Sequence, residues 1–264
     1  MGQNAGMSLS SPVHGVSART ATWLAAALLA CGAAQSAEVT VAVAANFAGP
    51  LAKLAEGFTA STGHTLKTSA GSTGKFYSQI VAGAPFDVLI AADDETPKRL
   101  IAEGRAVAGS SFTYAIGVLV LWSAQPGLVD DQGAVLASGK FSKLAIANPK
   151  LAPYGQAGLD VIRAKGLSEA LVPRLVMAES IGQAYQFVVT GNAELGFVAL
   201  SQVVVPGKPV TGSYWRVPAS LHGEIRQDAV LLKAGEKNTA ATALLAYLKS
   251  PAGKAVIQSF GYGL

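Results

Sequence analysis

Residues 38–82 read EVTVAVAANFAGPLAKLAEGFTASTGHTLKTSAGSTGKFYSQIVA. Residues 38–44 have the apolar character of a strand, whereas residues 47–62 have a helical spacing of apolar side chains, at Phe47, Leu51, Leu54, Ala55 and Phe58. A second strand-like run at 64–69 and a second helix-like run at 74–82 follow. This alternation of strands and helices predicts an α/β fold built on a parallel sheet.

The same alternation continues to the end of the chain. We predict further strands at 87–90, 114–122, 144–147, 175–178, 195–198 and 229–233, and helices at 97–102, from 156, and at 182–189, 239–249 and 251–260. The long strand at 114–122 (YAIGVLVLW) leaves the opening unit, and the two closing helices have apolar faces suited to packing back on it. The sequence therefore predicts two lobes with a ligand cleft between them. Lobe 1 comprises residues 38–115 and about 235–264, and lobe 2 comprises about 116–234.

Residues 1–37 have the features of an export signal. Arg19 precedes an apolar stretch at 20–32 (TATWLAAALLACG), and small residues at 33–37 offer a cleavage site. The apolar stretch is shorter than the roughly 20 residues that a membrane-spanning helix needs. We therefore expect a periplasmic mature protein. Cys31, the single cysteine, ends a lipobox-like LLAC, so lipid anchoring is a less favoured alternative, and the mature domain can form no internal disulfide.

The composition argues against nucleic-acid binding. Half of the residues are apolar and 14% are charged, which is typical of a globular domain with a substantial core. The net charge is +4, but Lys and Arg occur singly and without interleaved aromatic residues. We expect no nucleic-acid partner.

Four polar breaks, at 45–46, 72–73, 153–155 and 180–181, each lie where a strand-like run gives way to a helix-like one. A helix N-terminus presents backbone N–H groups without internal partners and carries partial positive charge, so it can hold an oxyanion without a salt bridge. Asn46 and Ser72 also suit ordinary helix N-caps, which is the simpler interpretation. The two interpretations are compatible, because a capped helix still has unpaired N–H groups.

Seven stretches carry a resemblance to a known family: VAVAANF (41–47), AGSTGKFYSQI (70–80), GAPFDVLIAADDETPKRL (83–100), NPKLAPYGQA (148–157), ESIGQA (179–184), NAELGFVALSQV (192–203) and IRQDAVLL (225–232). Through them the chain resembles the molybdate-binding proteins, the extracytoplasmic receptors of molybdate ABC transporters. The resemblance implies a type II periplasmic-binding-protein-like fold in which each lobe is a mixed sheet flanked by helices. It also implies a monomeric protein without enzymatic activity or a cofactor, which binds molybdate or tungstate and delivers it to a membrane permease. Molybdenum would enter only as the oxyanion.

The resemblance also implies the ligand-binding residues, which are Ala45, Asn46, Ser72, Thr73, Tyr154, Ile181 and Ala199. Ala45 and Ile181 would supply backbone N–H groups, and Ser72 and Thr73 would supply a pair of hydroxyls. Asn46 stands where many relatives have serine, and Ala199 where some have a ligand-contacting tyrosine. Tyr154 either supplies a phenol hydroxyl from another loop in its place or leaves the site one donor short.

Two other functions fit the sequence. A receptor of the same fold could bind sulfate, phosphate or a small organic anion. Phosphate keeps a proton near neutral pH and needs an acceptor, which Asp93 or Asp94 could supply, although we interpret Asp87 and Asp93 as structural. A more remote alternative is a serine hydrolase, with Ser72 in a relaxed nucleophile elbow, His222 as base and Asp160 as acid.

Overall fold

Two five-stranded sheets organise residues 36–264. The computed structural model describes residues 1–6, 8 and 36–264, so Cys31 and the apolar stretch of the predicted export signal lie outside the described residues. The strands are β1 Glu38–Ala44, β2 Thr65–Gly71, β3 Val88–Ile90, β4 Phe112–Gly117, β5 Leu119–Ser123, β6 Leu144–Ala147, β7 Leu175–Ala178, β8 Leu195–Ala199, β9 Ser213–Arg216 and β10 Ile225–Leu231.

The α-helices are α1 Ala48–Thr62, α2 Thr73–Val81, α3 Glu95–Ala102, α4 Val135–Ser138, α5 Pro153–Ala164, α6 Ser168–Leu171, α7 Ile181–Val189, α8 Leu200–Val203, α9 Thr239–Lys249 and α10 Pro251–Ser259. Short 3-10 turns lie at Ala45–Phe47, Val172–Arg174, Ala219–Leu221 and Lys233–Gly235. Within the described part of the chain, each helix is too short or too polar to cross a membrane.

The first sheet has the order β2-β1-β3-β10-β4. β1 is parallel to β2 and β3, whereas β10 is antiparallel to β3 and β4. Alternate residues of β1 face opposite sides: Val41 packs with α1, α9 and α10, and Ala42 packs with α2 and α3. The expected mixed sheet flanked by helices is confirmed for this lobe.

The second sheet has the order β7-β6-β8-β5-β9. β6 is parallel to β7 and β8, and β5 is antiparallel to β8 and β9. Its core includes Tyr154 at the start of α5 and Ile181 at the start of α7. This lobe is also a mixed sheet flanked by helices, as predicted. β9 was not predicted, because its short sequence SYWR follows a Gly- and Pro-rich segment.

The predicted strand at 114–122 is two strands. β4 ends at Gly117 in the first sheet, and β5 begins at Leu119 in the second. A Cβ atom on Gly117 would overlap the Tyr154 hydroxyl and lie 2.5 Å from Gln227 Nε2. Glycine allows the backbone to pass this close to two side chains, and the crossing between lobes occurs here.

The predicted lobe boundary near residue 234 is wrong for β10. That boundary put the strand in lobe 2, but β10 pairs with β3 and β4 and belongs to the first sheet. The return crossing therefore lies before Ile225. The predicted closing helices, now α9 and α10, do pack on this lobe, where Leu244 and Ile257 are fully buried.

Candidate functional site

The four polar breaks meet at the junction of the two lobes. β1 ends at Ala44, directly beside Gly71 at the end of β2, so residues 45–46 and 72–73 begin side by side. In the second lobe α5 and α7 follow the paired ends of β6 and β7. The lobes touch through two glycines: the Gly74 N–H donates to the Leu151 carbonyl at 3.0 Å, and a Cβ on Gly182 would lie 3.1 Å from the Ala45 Cβ.

Ser72 occupies the N-cap position of α2 without forming a cap hydrogen bond. Its side chain is only 3% exposed, and its Oγ has no partner among the described residues. Ser180, by contrast, caps α7 by accepting from the Gln183 N–H at 3.2 Å. The simple capping interpretation of Ser72 is therefore wrong. Burying a hydroxyl without a hydrogen-bond partner costs free energy. The Ser72 hydroxyl is therefore a candidate to form a hydrogen bond to a bound ligand.

Thr73 lies next to Ser72 and is 1% exposed. Its Oγ1 accepts a hydrogen bond from the Ala92 N–H at 3.0 Å, and its own proton remains available to a further acceptor. The expected pair of hydroxyls is thus present at the start of α2, with Thr73 also bracing the chain after β3.

Three helix N-termini supply backbone donors from both lobes. N–H groups in the first turn of a helix have no intrahelical acceptor, which leaves those of Thr73, Tyr154 and Ile181 available. Pro153 has no N–H, and the Gly155 N–H bonds to the Ala152 carbonyl, so Tyr154 is the first available donor of α5. The Ile181 side chain is 4% exposed and packs in the core, so only its backbone can serve a ligand.

Asn46 lies in the 3-10 turn that follows β1 and is 1% exposed. Its Nδ2 donates to Gln227 Oε1 and to Tyr262 Oη, each at 2.9 Å, while its Oδ1 has no partner among the described residues. Its main-chain carbonyl accepts from Ser201 Oγ at 2.8 Å and from Tyr262 Oη at 3.0 Å. Asn46 also forms no side-chain cap bond, so it joins the two lobes rather than capping a helix.

A buried polar network surrounds Asn46, and we call it the hinge cluster; its members are Asn46, Tyr114, Tyr154, Ser201, Gln227 and Tyr262. Gln227 Nε2 donates to the Tyr154 hydroxyl at 2.9 Å, and the Tyr114 oxygen lies 2.8 Å from Gln227 Oε1 and 2.9 Å from the Ala91 carbonyl oxygen. The sequence did not lead to four members of the hinge cluster, which are Tyr114, Ser201, Gln227 and Tyr262. Gln227 lies between Arg226 and Asp228 in β10, and no local signal in the sequence separates it from these two charged neighbours.

The three phenols of the hinge cluster remain neutral. Burial, and then the neighbouring Tyr262 hydroxyl, raise the pKa values of Tyr114 and Tyr154 well above their ordinary value. Burial likewise raises the pKa of Tyr262. An anion at this junction would therefore meet hydroxyl, amide and N–H groups without a negatively charged phenolate.

The sequence left open whether the Tyr154 hydroxyl takes the place of the tyrosine that some relatives have at the position of Ala199. The Tyr154 hydroxyl accepts from Gln227 Nε2, so one of its hydrogen bonds lies within the hinge cluster. Ala199 is fully buried and its N–H donates to Gln202 Oε1 at 3.0 Å. Ala199 therefore has no polar side chain and its N–H is already used, and the ligand role of both residues stays a prediction.

The aspartates named in the sequence have structural partners. Asp87 Oδ2 accepts from the Thr40 N–H at 2.7 Å, and Asp93 Oδ1 accepts from the Thr96 N–H at 2.7 Å, as the structural interpretation predicted. Asp94 pairs with Lys98 on the surface of α3. Burial raises the pKa of Asp93, which lies in a separate cavity with Asp160 and Gln156.

The proposed hydrolase residues are not assembled. Ser72 lines a cavity with Lys75 and Glu179, whereas His222 lines another with Arg216. Asp160 lies in a third and bonds to Gln156 and Arg163. A nucleophile, its base and an orienting acid must lie within hydrogen-bond reach of one another, so these residues do not form a triad.

An ion pair crosses the edge of the cavity beside Ser72. This cavity of about 270 Å³ is bounded by α2 of the first lobe and by Glu179, Ser180 and Gln183 of the second. Lys75 and Glu179 form the pair from opposite lobes. The positive charge nearest to Ser72 in this cavity is thus neutralised, and the donors at the junction are neutral groups.

Comparison with known proteins gives a consistent result. The family model described as bacterial extracellular solute-binding protein matches residues 39–263. The molybdate-binding protein ModA of Azotobacter vinelandii is 60% identical over 241 residues, covering 91% of this chain and 95% of that relative. ModA of Rhodobacter capsulatus is 51% identical over 229 residues, covering 87% and 89%. The solved structure of the A. vinelandii periplasmic molybdate-binding protein superposes with a TM-score of 0.84 at 45% identity, covering 86% of this chain and 99% of that one.

Proposed function

This chain belongs to the bacterial extracellular solute-binding protein family, as a relative of the ModA molybdate-binding proteins, and on that premise we propose that it binds molybdate between its two lobes. It is a receptor and not an enzyme. The observation that carries the proposal is the buried Ser72 hydroxyl without a partner, at the start of a helix and at the lobe junction.

The chemistry of the junction suits a fully ionised tetrahedral oxyanion. Such an anion accepts hydrogen bonds and donates none, so it is satisfied by N–H and O–H groups. The proposed ligands are the hydroxyls of Ser72 and Thr73, the N–H groups of Ala45, Tyr154 and Ile181, and the amide of Asn46, with Ala199 lining the site. Several donors and three helix N-termini together offset the cost of removing a dianion from water.

Selectivity would rest on size and on the protonation of the anion. Molybdate and tungstate are close in size, so we infer that tungstate binds nearly as well. Sulfate has the same charge and shape but is smaller, and it would leave donors out of reach. A protonated phosphate needs an acceptor. Asp93 and Asp94 have other partners and line a different cavity, which argues against phosphate as the ligand.

The cellular role follows from the family and from the N-terminal residues. We infer that residues 1–37 direct the chain to the periplasm, where a monomer closes on molybdate. The closed form would then dock on the permease of an ABC transporter, since only closure fixes the orientation of the two lobes relative to each other. No part of this scheme requires a cofactor or a nucleic acid.

Calorimetric titration of the purified protein with molybdate, tungstate, sulfate and phosphate tests the proposal. We expect one-to-one binding of molybdate and tungstate, with affinities within about tenfold of each other, because they present nearly the same size and charge. Sulfate should bind at least about 100-fold more weakly. Tight phosphate binding would contradict the proposed ligand, and a folded protein that binds none of the four would contradict an oxyanion receptor altogether.

Removing the Ser72 hydroxyl should change the affinity for molybdate without lowering the stability of the fold. Ser72→Ala should weaken molybdate binding about 10- to 100-fold, the expected loss for a hydrogen bond to a charged group. The free energy of unfolding without ligand should not fall, because Ser72 Oγ has no partner to lose within residues 36–264. Titration calorimetry and urea unfolding measure the two quantities.

Thr73→Val is the matched control for Ser72→Ala. It removes a neighbouring hydroxyl that does have a partner, the Ala92 N–H, so it should lower the free energy of unfolding by about 1 to 2 kcal/mol. If Ser72→Ala destabilises the protein equally, or if it leaves molybdate affinity unchanged, Ser72 is a structural residue and not a ligand.

A further inference from the structure

In the hinge cluster, the hydrogen-bond donors and acceptors are not all paired with one another. Asn46 Oδ1 is buried and accepts no hydrogen bond from the part of the chain that the structure describes. The single proton of Tyr114 faces two acceptors, the Ala91 carbonyl and Gln227 Oε1. Gln227 Nε2 has two hydrogens, yet its one protein partner among the described residues is the Tyr154 hydroxyl. One acceptor therefore lacks a donor, while one donor lacks an acceptor.

Turning both amides by half a turn pairs the other donors and acceptors and leaves the unpaired hydrogens on Asn46 Nδ2 alone. Gln227 Nε2 would then donate one hydrogen to the Tyr114 oxygen and the other to Asn46 Oδ1, across the positions now 2.8 and 2.9 Å apart. Tyr114 would donate to Ala91 alone, and the Tyr154 hydroxyl would donate to Gln227 Oε1. The single proton of Tyr262 would turn from the Asn46 carbonyl to Asn46 Oδ1 at 2.9 Å, and the carbonyl would keep Ser201 Oγ as its donor. After the turn, the Asn46 NH₂ group is the one amide group of the hinge cluster left without an acceptor among the described residues, because it moves to the position that had no partner.

The two amides can only turn together. If Asn46 alone turned, two oxygens would face each other at 2.9 Å, and if Gln227 alone turned, two NH₂ groups would do so. After the joint turn, the Asn46 Nδ2 takes the place of the buried, unpartnered Oδ1. An NH₂ group there offers hydrogens to an anion, whereas an oxygen repels one.

We propose that Gln227 is a positioning residue which, through Asn46, sets the site to accept a fully ionised oxyanion. The inference rests on the proposed oxyanion binding and extends it to a residue that need not touch the ligand. With the Asn46 NH₂ group inward, molybdate gains a donor. With the oxygen inward, the site favours an anion that carries a proton, such as phosphate, because a P–OH group can donate to Oδ1. Gln227 thus determines which protonation state of an anion fits.

Gln227→Glu tests this orientation because a carboxylate only accepts hydrogen bonds. It should hold the Asn46 Nδ2 toward itself and leave Oδ1 facing the anion. We expect molybdate affinity to fall at least about 100-fold, as a donor is lost and an acceptor faces the charge. We also expect the ratio of phosphate to molybdate affinity to rise at least about tenfold in titration calorimetry at mildly acidic pH.

The matched control is the same change in an Asn46→Ser background. A serine hydroxyl rotates freely, so Gln227 cannot impose an orientation there, while the added charge of the carboxylate is unchanged. If Gln227 acts through the Asn46 amide, the loss of molybdate affinity caused by Gln227→Glu should be at least about tenfold smaller in this background, and the shift toward phosphate should disappear. Equal losses in both backgrounds would mean simple charge repulsion and would overturn the proposal.

If the buried carboxylate of Gln227→Glu prevents folding, Gln227→Met can be used instead. It allows the same comparison between the Asn46 and Asn46→Ser backgrounds with a neutral side chain. It removes both the donor and the acceptor, so the Asn46 amide is no longer oriented. Molybdate affinity should fall about 3- to 10-fold with Asn46 present and remain unchanged with Asn46→Ser. If the wild-type protein binds no oxyanion, the proposed function and this inference both fail. If it binds molybdate but either cycle shows no coupling, only the role of Gln227 fails.

Discussion

Gly74→Val should bind molybdate about 10- to 100-fold more weakly than the wild-type protein. Gly74 is the second residue of α2 and touches the other lobe: a Cβ there would lie 3.0 Å from Leu151 Cα and 3.2 Å from its carbonyl oxygen. The branched side chain would hold the lobes apart and lower the fraction of molecules that can close. The apparent affinity for the ligand falls in proportion to that fraction. Titration calorimetry measures the loss.

The stability of the ligand-free protein should change little, because we expect the lobes to part at Gly74 when no ligand is bound, which would relieve the overlap with Leu151. Gly49→Val is the matched control, since Gly49 is also the second residue of a helix in the same lobe, but the nearest atom to its Cβ is Phe260 Cε1 at 3.9 Å. It should bind molybdate normally. An unchanged affinity for Gly74→Val would mean that contact between Gly74 and Leu151 is not part of the bound state.

Gly155→Ala should lower the free energy of unfolding by about 3 kcal/mol or more. The added Cβ would overlap the carbonyl oxygen of Ala147 and lie 2.7 Å from its carbonyl carbon. Both atoms belong to the last residue of β6, a backbone position that cannot rotate away. For a domain of this size the melting temperature should drop by roughly 6 to 12 °C.

The same substitution should also weaken molybdate binding, because a shift of α5 displaces the Tyr154 N–H. Gly49→Ala is the control for the loss of a helical glycine, and it should be neutral or stabilising by about 0.5 to 1 kcal/mol. Thermal unfolding with and without molybdate measures both effects. A melting temperature within about 2 °C of wild type would show that α5 and β6 can separate without cost.

The fold was predictable because its strands and helices alternate with clear apolar periods, and the errors have particular causes. The run YAIGVLVLW is apolar throughout, so nothing in its pattern marks the change of sheet after Gly117. β10 has the pattern of a buried strand, but such a pattern does not say which sheet the strand joins. α5 begins at Pro153 and not at Gln156, because proline is well suited to the first turn of a helix.

The residues of the candidate site could be named from local sequence where they lie in turns, and less so where they lie in the core; their role as ligands stays a prediction. Ser72 and Asn46 follow strands and precede helices, which local sequence reveals. Gln227 and Tyr262 are distant from Asn46 in sequence, at separations of 181 and 216 residues, so only tertiary contact joins them. Whether a serine at a helix start caps it or serves a ligand depends on which atoms lie near its hydroxyl, and the sequence does not contain that information.

The Asn46 backbone carbonyl bonds to Ser201 and Tyr262, while its side chain bonds to Gln227 and is one of the proposed ligands. In the proposed receptor, one residue therefore contributes both to ligand recognition and to the contact between the lobes that closure would change. For an evolving lineage, a mutation here that alters the preferred nutrient also alters the opening and closing of the receptor. New specificities should thus arise more readily at Ser72 or at the start of α7, where a substitution can change ligand recognition without changing the opening and closing of the lobes.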